Sequence, residues 1–191
     1  MDHWQVKLPS VDEARPARCP CCGVASRPPG GALAIWGHGV RERQVRGPRE
    51  PGAASETIVI EVRRYVCRRC AAILTVVPRG IARCKHYSAM AIAFALGLFG
   101  LDKQTQRAVR EAVSPWQIVS EQTRSTWVTL RRWIAAIGCG ALWPSLPRSE
   151  APSSSRPIAE RAAMALSATA PLSLQGLPLS HCAFHGGAHM A

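Results

Sequence analysis

Carboxylates are scarce in this chain. Its 191 residues carry 12 Asp and Glu against 24 Lys and Arg, a net charge of +12. Lysine is scarcer still, at Lys7, Lys85 and Lys103 alone, so the positive charge is nearly all arginine. The lone adjacent acidic pair, Asp12–Glu13, lies in a polar, proline-broken lead-in and reads as solvated rather than catalytic. There is no phosphate-binding glycine loop, no G-x-S-x-G nucleophile elbow and no H-E-x-x-H, which removes the best-marked nucleotide, serine-hydrolase and zinc-protease chemistries. Long apolar runs are missing too. The longest, Ala89–Leu101, contains two glycines and is too short for a bilayer. No start-proximal apolar run resembles a signal peptide. The expectation is a soluble, cytoplasmic protein that is not an enzyme, with no membrane contact and no small-molecule substrate. Large aromatics are few, with 6 Trp, 3 Phe and 2 Tyr, and Ala, Pro and Gly supply much of the bulk. A core of that kind calls for outside help, such as a structural metal.

What is present is concentrated. Residues 15–140 hold 20 Arg and Lys against 7 Asp and Glu, or +13, and the remainder holds 4 against 5, or −1. Arginine makes planar, bidentate contacts to phosphate and guanine, so the excess points to nucleic acid. The second concentration is cysteine. "ARCPCCG" places Cys19, Cys21 and Cys22 in four positions, and "CRRC" adds Cys67 and Cys70. In a reducing compartment such pairs serve metals more often than disulfides. Cys19/Cys22 and Cys67/Cys70 are both C-x-x-C pairs, and four thiolates in a tetrahedron form a closed structural zinc site with one ion. The first pair has the C-P-x-C-G form, in which Pro20 stiffens the turn and Gly23 accepts the left-handed backbone after the second ligand. The second pair lacks that glycine. Iron in a rubredoxin-like site is the alternative, since its knuckles share the form. Cys84 and His86 read as neighbours of the second pair, His38 as a turn residue, and His181, Cys182, His185 and His189 as incidental.

The expected fold class is α+β, with short antiparallel strands followed by helices. Residues 1–18 form an irregular lead-in and 19–80 a zinc ribbon. Strands are expected in "ALAIWGHG", ending near Gly37, in "VRERQVRG", in "TIVIEVRRYVC" and in "AAILTVVP". Residues 86–140 form a helical, helix-turn-helix-like segment. Ser88 caps an all-round hydrophobic, central helix to about Leu98, and Asp102 caps the next. "SPWQ" (Ser114–Gln117) has the capping-box form, and "STWVTLRRWIAAIG" makes the last helix. Residues 141–155 read as a Pro/Ser linker, and 156–191 as short C-terminal helices in a partly ordered tail. On the last helix of the segment, the face opposite Trp127, Leu130 and Ile134 carries Ser125, Val128, Thr129 and Arg132, with Arg124 and Arg131 at its edges. Such a face suits a major groove.

"CPCCG", "GHGVRERQVRG" and "IVIEVRRYVCRRC", followed by "TWVTLRRW", resemble the zinc-ribbon and helix-turn-helix front end of bacterial insertion-sequence transposases. The resemblance spans about Cys19 to Ile137. It implies zinc on Cys19, Cys22, Cys67 and Cys70, with Arg41, Arg43 and Arg46 along the DNA backbone. It also places Thr129, Arg131 and Arg132 on a recognition helix. Arg63 and Arg64, on the other arginine-bearing strand, and Ser125, at the start of the helix, join the expected contacts to double-stranded DNA. Such transposases continue into a domain whose three carboxylates hold two metal ions. Here only Glu150 and Glu160 follow the helices, so no strand-transfer activity is expected. A protein-interaction adaptor, docking a partner through the ribbon and the C-terminal helices, is the reading from a different class.

Overall fold

The computed structural model describes residue 4 and residues 7–82, 84–116, 126–147 and 154–189. Among these a three-stranded antiparallel sheet is followed by five α-helices, an α+β fold. The strands are β1 (Ile35–Gly47), β2 (Glu56–Cys67) and β3 (Ile73–Val76), in that spatial order. The helices are α1 (Ala89–Gly100), α2 (Gln106–Val113), α3 (Val128–Gly138), α4 (Ser155–Ser167) and α5 (Leu179–Gly187). The chain forms two compact units, Met1–Gln44 with Val59–Pro78, and Val45–Ile58 with Arg79–Ala191.

"ALAIWGHG" and "VRERQVRG" are parts of one long strand instead of two short ones, and β1 belongs to the first unit as far as Gln44. Gly39 makes this possible at φ +86 inside β1, a conformation that glycine takes without steric penalty. β2 pairs with β3 in the register Arg63↔Val76 to Val66↔Ile73. The core is small: Cys19, Ile35, Tyr65, Cys67 and Leu74 are buried, with Val11, Ala14 and Val24 packed against them. The lead-in is docked, not loose. Tyr65 Oη donates to Val11 O (2.8 Å), Arg63 Nε donates to Pro9 O (2.6 Å), and Arg15 donates to Ile35 O. Asp12 bonds Arg15 (2.8 Å) and Arg27 (2.7 Å), and the Arg15 hydrogen bond holds its carboxyl below the usual range. The acidic pair is thus structural at Asp12, while Glu13 closes a turn by accepting from Ser10 N (2.7 Å).

In the second unit α1 is the centre. Ser88 caps it by accepting from Ala91 N (3.0 Å), and all of its residues but Met90 are buried, as expected for a helix apolar on every side. The next helix starts later than Asp102. Lys103 takes φ +55, and Thr105 is the cap, accepting from Ala108 N (3.2 Å). Ser114 ends α2 and accepts from Trp116 N (3.3 Å); of its predicted capping box, Gln117 lies outside the described residues. α3 buries Leu130, Trp133, Ile134 and Ile137. Trp127 N, at its start, donates to Gln106 Oε1 of α2 (2.8 Å). Tyr87, Trp127 and Trp133 meet edge to face at 5.0–6.0 Å, a geometry that adds to simple burial.

The C-terminal segments belong to this core. Leu142, Trp143 and Leu146, within the expected linker, are buried in it. So are Ala159, Ala162, Ala163 and Leu166 of α4, and Ala183 and Phe184 of α5. Small residues let the backbones approach closely. A Cβ on Gly100 would stand 2.4 Å from Glu160 N, and one on Gly97 2.8 Å from Ser180 Cα. Arg156 reaches back from α4 to the end of α1, donating to Phe99 O (2.6 Å) and Gln104 O (3.2 Å). Its charge complements the negative end of the α1 dipole.

Candidate metal centre

Two turns bring four sulfurs together. In the first, Gly23 N donates to Cys19 O (2.9 Å) and Cys19 N to Val24 O (2.9 Å). In the second, Ala71 N donates to Cys67 O (2.8 Å) and Cys67 N to Ala72 O (3.0 Å). The turns are the same structure built twice, since Arg18↔Ala25 bridges the base of one and Val66↔Ile73 the base of the other. The residue after the second cysteine is left-handed in both, Gly23 at φ +73 and Ala71 at φ +57. The missing glycine therefore does not alter the knuckle; alanine takes up the conformation at a cost of about 1–2 kcal/mol. Ala71→Gly should accordingly stabilise the unit by about 0.5–1 kcal/mol, after the greater freedom of glycine in the unfolded chain is deducted. Thermal unfolding of the metal-loaded protein measures this, and a lower midpoint would contradict it.

The sulfurs of Cys19, Cys22, Cys67 and Cys70 all lie within 4.8 Å of one another. Cys19 Sγ stands 3.7 Å from Cys70 Sγ, and Cys22 Sγ 3.7 Å from Cys67 Sγ. Those separations are far beyond a disulfide bond of about 2.05 Å. Ligands about 2.3 Å from a central ion in a tetrahedron stand about 3.8 Å apart, so the spacing fits one ion held by all four. Cys19 and Cys67 are buried, Cys22 is half-buried and Cys70 is exposed. The site thus has one closed side and one open side.

Backbone donors prepare the sulfurs for negative charge. Burial pushes the Cys67 thiol up, but the N–H groups of Cys70 and Arg69, with the thiols of Cys70 and Cys22, outweigh it and draw it down to about 7. For Cys70, the Ala72 N–H favours thiolate, yet desolvation and the thiols of Cys22, Cys67 and Cys19 push it up to about 12. Cys22 is likewise raised: the Val24 N–H is overcome by desolvation and by neighbouring thiols. Cys67 therefore gives up its proton most readily of these three, and a bound cation favours the thiolate at Cys22 and Cys70. Among the described residues this is the only group of three or more potential ligands so placed. Cys84, His86, His38 and the C-terminal His181, Cys182, His185 and His189 stand outside it. Cys182 instead faces the carbonyls of Leu174 (3.3 Å) and Leu177 (3.5 Å). Cys21 is exposed and also outside the group.

The expected nucleic-acid contacts are distributed over both units. In the first, Arg41 and Arg43 lie on β1, Arg63 and Arg64 on the adjacent β2. Arg41 is exposed, whereas Arg43, Arg63 and Arg64 are half-buried, with Arg63 tied to Pro9. Arg46 belongs to the second unit. Its backbone joins the segment before α1 (Arg46 N to His86 O, 2.8 Å; Ser88 N to Arg46 O, 3.0 Å), and its guanidinium lies 5.4 Å from the Trp116 ring centre. On α3, Arg131 and Arg132 are exposed and Thr129 is half-buried, while Ser125 lies outside the described residues. The first helix of the expected motif would fall in 117–125, also outside the described residues. One feature was missed in the linear sequence: Trp36 and Arg68, distant in the chain, are stacked. No protein-family model, curated protein or solved structure matches the chain.

Proposed function

We propose that this is a zinc-dependent DNA-binding protein, resembling the non-catalytic front end of a transposase and carrying no strand-transfer chemistry. The observation that carries the metal half is the tetrahedral spacing of four thiol sulfurs, with backbone N–H groups directed at three of them. Zinc is the ion such closed four-thiolate sites hold in structural modules. The DNA half is supported by the arginine excess of residues 15–140 and by the exposed pair Arg131 and Arg132 on α3.

On this reading zinc folds the ribbon, strand arginines meet phosphates, and α3 enters the groove. Arg132→Ala should weaken binding to duplex DNA about uniformly across sequences and lower the salt slope by about 1. Gel retention over a salt series measures both. An unchanged affinity and an unchanged slope would remove α3 from the interface.

A further inference from the structure

We infer that Trp36 and Arg68 form a stacking platform for the bases of a single-stranded nucleic acid, separate from the duplex contacts proposed above. Trp36 is 49% exposed on β1, and its neighbour Gly37 explains where it points. A Cβ on Gly37 would stand 2.9 Å from Val11 Cγ1, so that side of the strand faces the docked lead-in. Successive strand residues point to opposite faces, which directs Trp36 to solvent. The ring is nevertheless fixed in orientation, because its Nε1–H donates to Leu33 O at 2.6 Å.

The Arg68 guanidinium lies 4.9 Å from the centre of that ring, and Arg68 N donates to Ala34 O (2.8 Å), holding the two in register. Arg68 and Arg69 are the two residues between Cys67 and Cys70, and both are exposed. Unpaired bases stack on indole rings and on guanidinium planes alike, while positive side chains track the phosphates. A rigid exposed indole, a guanidinium laid over it and a second arginine beside them supply all three elements. Because Arg68 and Arg69 sit inside a knuckle, the metal that orders the knuckle orders the platform too.

The test uses the full-length, zinc-loaded protein and a labelled mixed-sequence strand of about 12 nucleotides, a length in the range that single-strand-binding modules occupy. The strand is offered once as DNA and once as RNA, to distinguish the two sources of the same base chemistry. Fluorescence anisotropy should show binding to at least one. Trp36→Ala should weaken it at least about fivefold and Trp36→Phe by less than about threefold. Arg68→Gln should weaken it as well, with zinc content unchanged in all three. Duplex affinity should be the same for Trp36→Ala and the parent protein. Absence of binding to both strands, or equal binding by Trp36→Ala and the parent, overturns the inference. If Trp36→Ala loses zinc, Trp36→Phe and Arg68→Gln decide: unchanged binding by Arg68→Gln overturns it. Duplex binding through Arg132 would survive that outcome, so the two readings fail independently.

Discussion

Cys22→Ser is expected to strip the metal from the first unit and unfold it, while Cys21→Ser leaves both metal and fold in place. The two residues are adjacent, so composition and local charge are nearly the same in the two variants. Their geometry is not. Cys22 Sγ lies 3.7 Å from Cys67 Sγ within the four-sulfur group, and Cys21 is exposed outside it. The Val24 N–H is directed at the Cys22 sulfur, and the turn that aims it is closed by Gly23 N to Cys19 O at 2.9 Å. Loss of one thiolate forfeits much of the roughly 10–16 kcal/mol of apparent metal binding that such sites contribute to folding. The unit has little else to fall back on. Two of its seven buried apolar residues, Cys19 and Cys67, are themselves ligands, leaving Ile35, Ile60, Val62, Tyr65 and Leu74. Zinc content and circular dichroism of the two variants measure the difference. Equal behaviour would mean that the register of the first knuckle is wrong.

Gly186→Ala is expected to be the most damaging single methyl group that can be added to the helical unit. A Cβ there would stand 1.8 Å from Leu166 O, at the C-terminal end of α4, and 2.6 Å from Thr169 Oγ1. The first of these is backbone, so no rotamer change relieves the clash and α5 must move away from α4. Gly187 follows directly, where a Cβ would meet Ala93 Cβ at 2.7 Å and Ala89 O at 2.9 Å. A displaced α5 therefore loses its seat on α1 as well. Overpacking of a well-filled core costs typically 1–3 kcal/mol, and a clash with rigid backbone on this scale warrants about 3 kcal/mol or more. That lowers the melting temperature by roughly 6–12 °C for a chain of this size. Gly176→Ala is the control, with nothing within 4 Å of the added carbon, and should fall within about 0.5 kcal/mol of the parent. If both variants melt alike, the close approach of α4 and α5 is not real.

The two expectations differ in how far they could be read from the chain. The first knuckle was legible because its determinants are local: Pro20 and Gly23 fit the turn in one register only, and that register selects Cys19 and Cys22. The first helix was legible for the same reason, with Ser88 before an uninterrupted apolar run. The helix after it was misplaced because two capping residues compete. Asp102 comes first, but the left-handed Lys103 defers the start to Thr105. The second knuckle looked weaker than it is, since the strain of a left-handed alanine is small beside the binding of an ion.

Composition misled most in the C-terminal third. Prolines and serines marked residues 141–155 as a linker, yet Leu142, Trp143 and Leu146 within it are buried. Alanine and glycine carry little hydrophobic signal, so α4 and α5 looked like appendages. Their function is to let backbones approach, and that depends on the facing helix instead of on their own periodicity. The Trp36–Arg68 stack was illegible for a related reason. It joins β1 to the second knuckle, a pairing that only the folded sheet creates.

The central claim is that a zinc-held ribbon supports binding to DNA, and one measurement addresses it most directly. Retention of random-sequence duplex DNA is followed at low and at raised salt, before and after the metal is stripped, on protein of known metal content. The account predicts a colourless protein with one zinc ion for its four-cysteine group, duplex binding that weakens with salt, and loss of that binding on removal of zinc. A zinc-loaded protein that ignores duplex DNA at low salt, or a red iron-containing one, would contradict it.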